Sequence, residues 1–280
     1  MPKVTIHHRR RKRKARVYYV GSGEGRYKII EIPKKGGVRK VYVPADYLKK
    51  QLKNLAKTTA EAVEPYLSSC AHGFRPGRSV LTNAAPHVGY EWTLSCDLKD
   101  CFDHVTYDLV IKSLENWPRL SKRIWFGRGL ESGFVDWIAR QGMPTSPAYC
   151  NIALHPVDKE ISKRWPDVVY TRYADDLSFS SNDRKRLEEI RKELPAIVEK
   201  FGFEIHPKKW RLQWSRFGRR VICGVAVDDT GMYASRRARR KLRAWQHIRP
   251  KSRRTKGLWR WVQGFANHKS NIVRRALEGL

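Results

Sequence analysis

Residues 168–180 read VVYTRYADDLSFS, two short runs rich in Val, Tyr, Thr and Phe that meet at adjacent aspartates, Asp175 and Asp176. β-Branched and aromatic residues on both sides of a small polar break predict a hairpin with the two acids at its tip. Residues 92–98, WTLSCDL, alternate Trp92, Leu94, Cys96 and Leu98 with Thr93, Ser95 and Asp97, the period-2 pattern of a half-buried strand. Asp97 closes that strand on its polar side. Adjacent carboxylates at a tight turn repel each other unless a cation lies between them. Paired aspartates are also ordinary turn chemistry, because their side chains bond the local backbone. If the strand end and the hairpin tip face each other, the three acids can hold two Mg²⁺ ions about 3.5–4 Å apart.

The rest of the chain makes these acids stand out. Lys and Arg number 58 against 27 Asp and Glu, a formal charge of +31 over 280 residues. Such a surplus repels itself, so nucleic acid or an anionic membrane surface is the expected partner. Hydrophobic residues at 41%, with 10 Trp, supply the core of one large domain or two to three subdomains and exclude a disordered basic protein. No run of about 18 apolar residues offers a bilayer span. The opening MPKVTIHHRRRKRKAR lacks the apolar stretch of a secretory signal. Cys70, Cys96, Cys101, Cys150 and Cys223 form no Cys-x-x-Cys pair, so reduced thiols and a cytoplasmic location are expected.

Residues 1–16 form a basic N-terminal arm, read either as a solvated tail or as an arm that orders on RNA phosphates. From Val17 short strands follow, VYYV, YKIIEI and VRKVYVP, separated by GSGEG and PKKGG. GSGEG has the glycines of a phosphate cradle, yet a strand rather than a helix follows it, so a hairpin turn is the reading. Residues 47–66 have helical spacing, with Leu48, Leu52, Leu55, Ala56 and Val63 opposite a row of lysines. SSCAHGFRPGRS, residues 68–79, is a loop. Helical material is expected over about 106–140, and Ser146-Pro147 as N-cap and first turn of another helix. A charged helix (about 183–201) and strands around RLQW and RVICGVAV come next. From Thr230 onward fifteen Lys and Arg face a single acid, Glu278, and Ala238, Leu242, Trp245 and Ile248 make a narrow apolar stripe.

IPKKGGVRKVYVP, HGFRPGRS, SCDLKDCFD, QGMPTSP, YADDLSFS and GFEIHPKK succeed one another within residues 27–227. This ordered set resembles the successive blocks of reverse transcriptases, those of bacterial retrons and group II introns in particular. The resemblance implies an α+β, right-hand polymerase fold. Fingers would span about 17–90, fingers and palm together 17–228 with a ferredoxin-like mixed sheet, and a small basic helical thumb 229–280. It implies that Asp97, Asp175 and Asp176 are catalytic acids holding two Mg²⁺ ions, assisted by the Leu98 carbonyl. Phe102 matches an aromatic gate whose ring fills the volume of a ribose 2′-hydroxyl; its other reading is a core aromatic. Lys34 or Lys35 and Arg39 match cations that clamp the triphosphate of a dNTP. Gln141 and Gly142 match the block lying against incoming nucleotide and template. Lys209 matches a lysine that protonates departing pyrophosphate, although Trp210 stands where the family usually has Thr. For each basic residue the alternative is ordinary surface charge.

Asn83-Ala84-Ala85-Pro86-His87 matches an Asn-Ala-x-x-His block of retron enzymes. A Val-Thr-Gly triplet, tied in those enzymes to recognition of their own RNA, is reduced here to Ile222-Cys223-Gly224. Retron resemblance thus implies RNA recognition through Asn83, His87 and Gly224. It further implies a structured noncoding template RNA copied into short, RNA-linked single-stranded DNA, with priming from a 2′-hydroxyl. The RNA:DNA hybrid would be read by backbone and shape. An accessory effector protein and host RNase H are the implied partners, in anti-phage defence. About fifty residues after Val227 suit a small thumb and leave no room for an RNase H or endonuclease domain. The rival readings are a group II intron-like or abortive-infection-type enzyme and a catalytically silent RNA-binding scaffold. The intact acid triad opposes the scaffold, since like charges are costly to keep together without metal.

Overall fold

A computed structural model describes residues 16–20, 27–34, 37–117 and 129–265. The arm before Arg16, the GSGEG turn, Lys35, part of the stretch expected to be helical over 106–140, and the tail beyond Phe265 lie outside these residues. Strands β1 (Arg16–Val20), β2 (Tyr27–Lys34) and β3 (Gly37–Pro44) form an antiparallel sheet in that order, the expected fingers hairpin. Helix α1 (Asp46–Val63) buries Leu48, Leu52 and Val63 and turns Lys50, Lys53 and Lys57 to solvent. Helix α2 (Val80–Ala84) is capped by Ser79, whose hydroxyl accepts from the backbone N–H groups of Leu81 and Thr82.

β4 (Trp92–Asp97) leads into two short helices, α3 (Cys101–His104) and α4 (Tyr107–Leu114). Helix does not continue to residue 140. Residues 134–145 form turns and single bridges, because Gly142 takes a left-handed φ of 98° and Pro144 lacks the N–H that a helix needs. Helix α5 (Ser146–Arg164) has Thr145 at its N-cap position, one residue before the expected Ser146, but the Thr145 hydroxyl makes no capping bond and donates to the Gly133 carbonyl at 2.9 Å. The Ser146 hydroxyl instead donates to the Arg140 carbonyl at 2.7 Å, while Pro147 occupies the first turn as expected. β5 (Val169–Tyr173) and β6 (Asp176–Ser181) are the predicted hairpin, followed by helix α6 (Arg184–Glu199) and β7 (Arg211–Trp214).

These strands build the palm sheet in the order β5-β6-β4-β7. Every strand pair in it is antiparallel, so the expected mixed character reduces to one parallel bridge, Ala71 to Arg172, on the β5 edge. Leu94, Cys96, Leu177 and Phe179 of the sheet pack with Ile152, Leu154, Ile190 and Leu194 of α5 and α6. Each such side chain contributes about 1.5–3 kcal/mol on burial. A third sheet, β8 (Arg220–Ile222), β9 (Val225–Val227) and β10 (Met232–Ala234), packs on α2 through Leu81, Ala84 and Ile222. Helices α7 (Arg236–Ile248) and α8 (Arg253–Gln263) then carry the basic tail. Of the predicted stripe, Leu242 is buried but Ile248 is exposed. Lys241 and Arg254 flank the Trp245 ring at 5.5 and 5.9 Å. Among the described residues no helix is long and apolar enough to cross a membrane, and the five cysteines are free thiols.

Candidate active site

Strand register brings the acids together. Asp97, the last residue of β4, lies directly opposite Asp176, the first of β6. Asp175 sits in the hairpin turn, where its carbonyl accepts from the Leu98 N–H at 3.0 Å. The Asp97 carbonyl accepts from the His206 N–H at 2.8 Å, which ties the GFEIHPKK segment to the same strand end. Lys209, three residues on, forms an ion pair with Asp97 Oδ1. Desolvation raises the Asp175 carboxyl, and Asp97 adds to the rise, while Lys209 and Arg39 oppose it. Asp176, at the exposed rim, is pushed up to about 6 by partial desolvation and then by Asp175 and Asp97, against Lys209 and Cys223.

Carboxylates that hinder one another's ionisation are a donor set that a hard divalent cation relieves. Asp97, Asp175 and Asp176 fit such an ion by chemistry, and Leu98 is tied to them through its N–H on the Asp175 carbonyl. Among the described residues no trio of His, Cys, Asp or Glu side chains is already closed into a metal cage. Lys209 holds Asp97 instead.

The hairpin tip is supported from beneath by residues that motif reading missed. Arg172 is fully buried and pairs with buried Asp158 of α5 through two bonds, Nε–Oδ1 2.8 Å and Nη2–Oδ2 2.7 Å. It also donates to Asn151 Oδ1 and to the Ala174 carbonyl, each at 3.1 Å. Burial alone would drive the Arg172 guanidinium down; Asp158 reverses this and raises it. Ala174 has φ 57°, and a Cβ at Gly73 would lie 2.3 Å from its nitrogen. Asn151 Nδ2 donates to the Gly73 carbonyl at 3.0 Å, so the HGFRPGRS loop is clamped onto the acidic turn. One signal was available: Asn151 and Asp158, seven residues apart, share a face of a helix otherwise rich in buried residues.

The other expected residues fall in three places. Lys34 reaches from the fingers to Asp100 at 3.5 Å rather than to the three acids, while Arg39 of β3 lowers the Asp175 carboxyl. Phe102, in α3, is half-buried against the palm core, with its ring centroid 6.3 Å from that of Phe74. The Gln141 carbonyl accepts from the Tyr42 N–H at 2.7 Å. Gly142 has φ 98°, and a Cβ there would lie 2.4 Å from the Tyr42 carbonyl. The close backbone approach at Gly142 is therefore that of β3. Gly142→Ala is expected to push the fingers strand off the palm and lower kcat/KM for dNTP about 10²-fold, as a misplacement of about 1 Å can. Steady-state insertion kinetics check this.

Asn83 and His87 are wholly buried. His87 bonds Ser180 Oγ at 2.8 Å and Thr171 Oγ1 at 2.7 Å, and burial, aided by Arg220, lowers it to about 3, so the ring is neutral. Asn83 Nδ2 contacts Cys223 Sγ at 3.5 Å. Neither side chain reaches the surface; both brace the β5–β6 strands and the β8–β9 turn. Gly224 forms that turn with Cys223, both left-handed (φ 87° and 45°), as a two-residue hairpin requires. Cys223 Sγ lies 3.8 Å from Asp176 Oδ2, which places the Ile-Cys-Gly departure beside the acids. A cleft of about 440 Å³ runs from this point between Asp97, Asp176, Lys209, Arg211, Arg236 and Arg237.

An antiparallel palm with acids at adjoining strand ends, opening on a basic cleft, is the arrangement of template-directed nucleic-acid polymerases. Comparison with known proteins narrows this class. Residues 32–245 match the family described as reverse transcriptase (RNA-dependent DNA polymerase), and the chain belongs to that family. Its relatives include the retron Mx65 reverse transcriptase of Myxococcus xanthus, 36% identical over 81% of this chain and 56% of that protein. The retron Ec86 reverse transcriptase of Escherichia coli is 28% identical over 79% of this chain and 69% of its own length. The chain spans about half the length of the Myxococcus relatives it matches. A telomerase from Candida tropicalis, solved with a fragment of telomeric RNA, superposes with a TM-score of 0.54 at 14% identity. That match covers 94% of this chain and 53% of the telomerase, and it shows a shared fold.

Proposed function

We propose that this chain is an RNA-directed DNA polymerase of the retron type, copying a structured noncoding RNA into short, RNA-linked single-stranded DNA. The observation that carries this reading is the register of Asp97 opposite Asp176 with Asp175 in the adjoining turn. Two Mg²⁺ ions at these acids would supply Lewis-acid activation of the attacking hydroxyl and stabilise the leaving pyrophosphate. Lys34 and Arg39 neutralise the triphosphate, and Lys209 stands ready beside Asp97 to give up a proton. Phe102 excludes a 2′-hydroxyl by volume. Gln141 and Gly142 seat the fingers strand that closes the nucleotide site. Asn83 and His87 hold the frame behind the Cys223-Gly224 turn, through which they affect RNA recognition. Helices α7 and α8 carry the RNA:DNA hybrid on their arginines. A division near residues 17–90, to 228, and 229–280 belongs to the same proposal as a functional one, since the hydrophobic clusters cross it: Leu81 and Ala84 pack with Ile222, Val227 and Met232, and Leu48 and Leu52 with Val135 and Met143. An effector protein, host RNase H and an anti-phage role in the cytoplasm belong to the same proposal and rest on the retron relatives.

The test is expression with native flanking DNA and analysis of copurifying nucleic acid. A discrete RNA-linked DNA that disappears in the Asp97, Asp175, Asp176 to Asn variant is the expected result. RNA alone, with extension only of an added primer, would point to the intron-like enzyme, and RNA without any extension to the scaffold. A pH dependence follows from Asp176. Its carboxyl, raised to about 6, must be ionised to hold a cation, so insertion at limiting Mg²⁺ falls as pH drops through about 6. Saturating Mg²⁺ shifts the fall to lower pH; a profile indifferent to Mg²⁺ removes Asp176 from the metal set.

A further inference from the structure

Phe74 is 44% exposed although it is large and apolar. Its backbone is held at φ 61°, the left-handed region in which a bulky side chain is strained. Its neighbours impose that conformation. Gly73 lies against the Ala174 nitrogen, and the His72 N–H donates to the Arg172 carbonyl at 2.7 Å. Arg75 is buried, pairs with Glu64 at 2.8 Å and donates to the Ser68 and Ala71 carbonyls. The loop is thus fixed on both sides of Phe74, and its frame is fixed to the turn that carries Asp175. The ring itself is left outside the core.

Its ring neighbour is Phe102, with centroids 6.3 Å apart and planes at 52°. Phe102 packs on the palm core, whereas Phe74 extends the same apolar step outward. Two residues before Phe102, Asp100 receives Lys34 of the fingers hairpin at 3.5 Å, and Arg39 of the same hairpin lowers the Asp175 carboxyl. The cations belong to the triphosphate end of an incoming nucleotide, and Phe102 to its sugar. A ring one step further from Phe102 meets the pair that this nucleotide forms. Aromatic side chains hold nucleotides by stacking and by contact with sugar edges, and hybrid duplexes offer a wide, shallow minor groove for that contact.

We propose that Phe74 is a positioning residue for the nascent base pair, bearing on the templating nucleotide while Phe102 bears on the incoming sugar. The assignment rests on the polymerase reading above. The test is single-nucleotide insertion by the full chain on an RNA template, with matched and mismatched dNTPs, for Phe74→Gly and Phe74→Tyr. Glycine accepts φ 61° without strain, so Phe74→Gly removes the ring and leaves the turn. Matched kcat/KM should fall roughly tenfold and discrimination against mismatches should fall with it. The melting temperature should hold or rise, and Phe74→Tyr should restore insertion. Exclusion of ribonucleotides should stay as in the parent chain. Unchanged insertion and discrimination would overturn the assignment. So would a loss that merely tracks loss of folded protein, or a rise in ribonucleotide entry, which would make Phe74 a prop for Phe102. A parent chain inactive on every template overturns the polymerase reading itself.

Discussion

Asp175→Asn combined with Asp176→Asn should abolish nucleotide incorporation, by about 10³-fold or more, while leaving RNA affinity nearly unchanged. Asparagine keeps the volume and one oxygen of each side chain and removes both charges. Metal ions held by these carboxylates supply several kcal/mol of transition-state stabilisation, and each 1.36 kcal/mol is about tenfold in rate. RNA affinity is spared because binding is dominated by the basic residues, and the chain carries 58 of them. The double variant should also be no less stable than the parent in the absence of divalent cation. Beyond desolvation, Asp175 is raised by Asp97, and Asp176 by Asp175 and Asp97, repulsions that neutralisation relieves. Primer extension, filter binding and thermal melting measure the three quantities. Surviving extension would remove the two-metal assignment.

Asp158→Ala should be among the most destabilising single substitutions in the palm. It leaves the Arg172 guanidinium fully buried and unpaired, and breaking a buried ion pair in this way costs about 3–5 kcal/mol. A typical domain has about 5–15 kcal/mol in total, so a large share of the chain should unfold under mild denaturant. Replacing both partners separates stability from function. Arg172→Met with Asp158→Leu removes two buried charges together and is expected to recover much of the lost stability. It should still polymerise poorly, because the bond from Arg172 to the Ala174 carbonyl is gone and the Asp175-Asp176 turn loses its support. Denaturant titration and single-turnover insertion on the same two variants decide the point. A double variant with full activity would show that Arg172 serves folding alone.

The hairpin and the strand facing it were legible because their cues are local. Val, Tyr, Thr and Phe around an Ala-Asp-Asp break, and the period-2 alternation that ends at Asp97, are properties of adjacent residues. Where local cues were weaker, the reading slipped. Helix α4 ends at Leu114 and helix is absent over residues 134–145, where Gly142 and Pro144 interrupt it, and the N-cap position before the next helix falls to Thr145 rather than Ser146. Partners distant in sequence stay hidden as well. The Asn-Ala-x-x-His block does not reveal that His87 bonds Thr171 and Ser180, or that Asn83 Nδ2 contacts Cys223, in the interior.

By itself the sequence determined the order of the elements, the acids at two strand ends and the basic character of the cleft and tail. Each of these follows from periodicity, turn chemistry and charge count along the chain. Tertiary structure alone decided that Gly142 is there for the Tyr42 backbone, that Gly73 and Arg172 hold the acidic turn, and that the Cys223-Gly224 turn meets Asp176. The physical reason is that close approach and burial are set by packing between segments far apart in the chain. Periodicity records which face of an element is apolar, and only the packed fold determines what lies against that face.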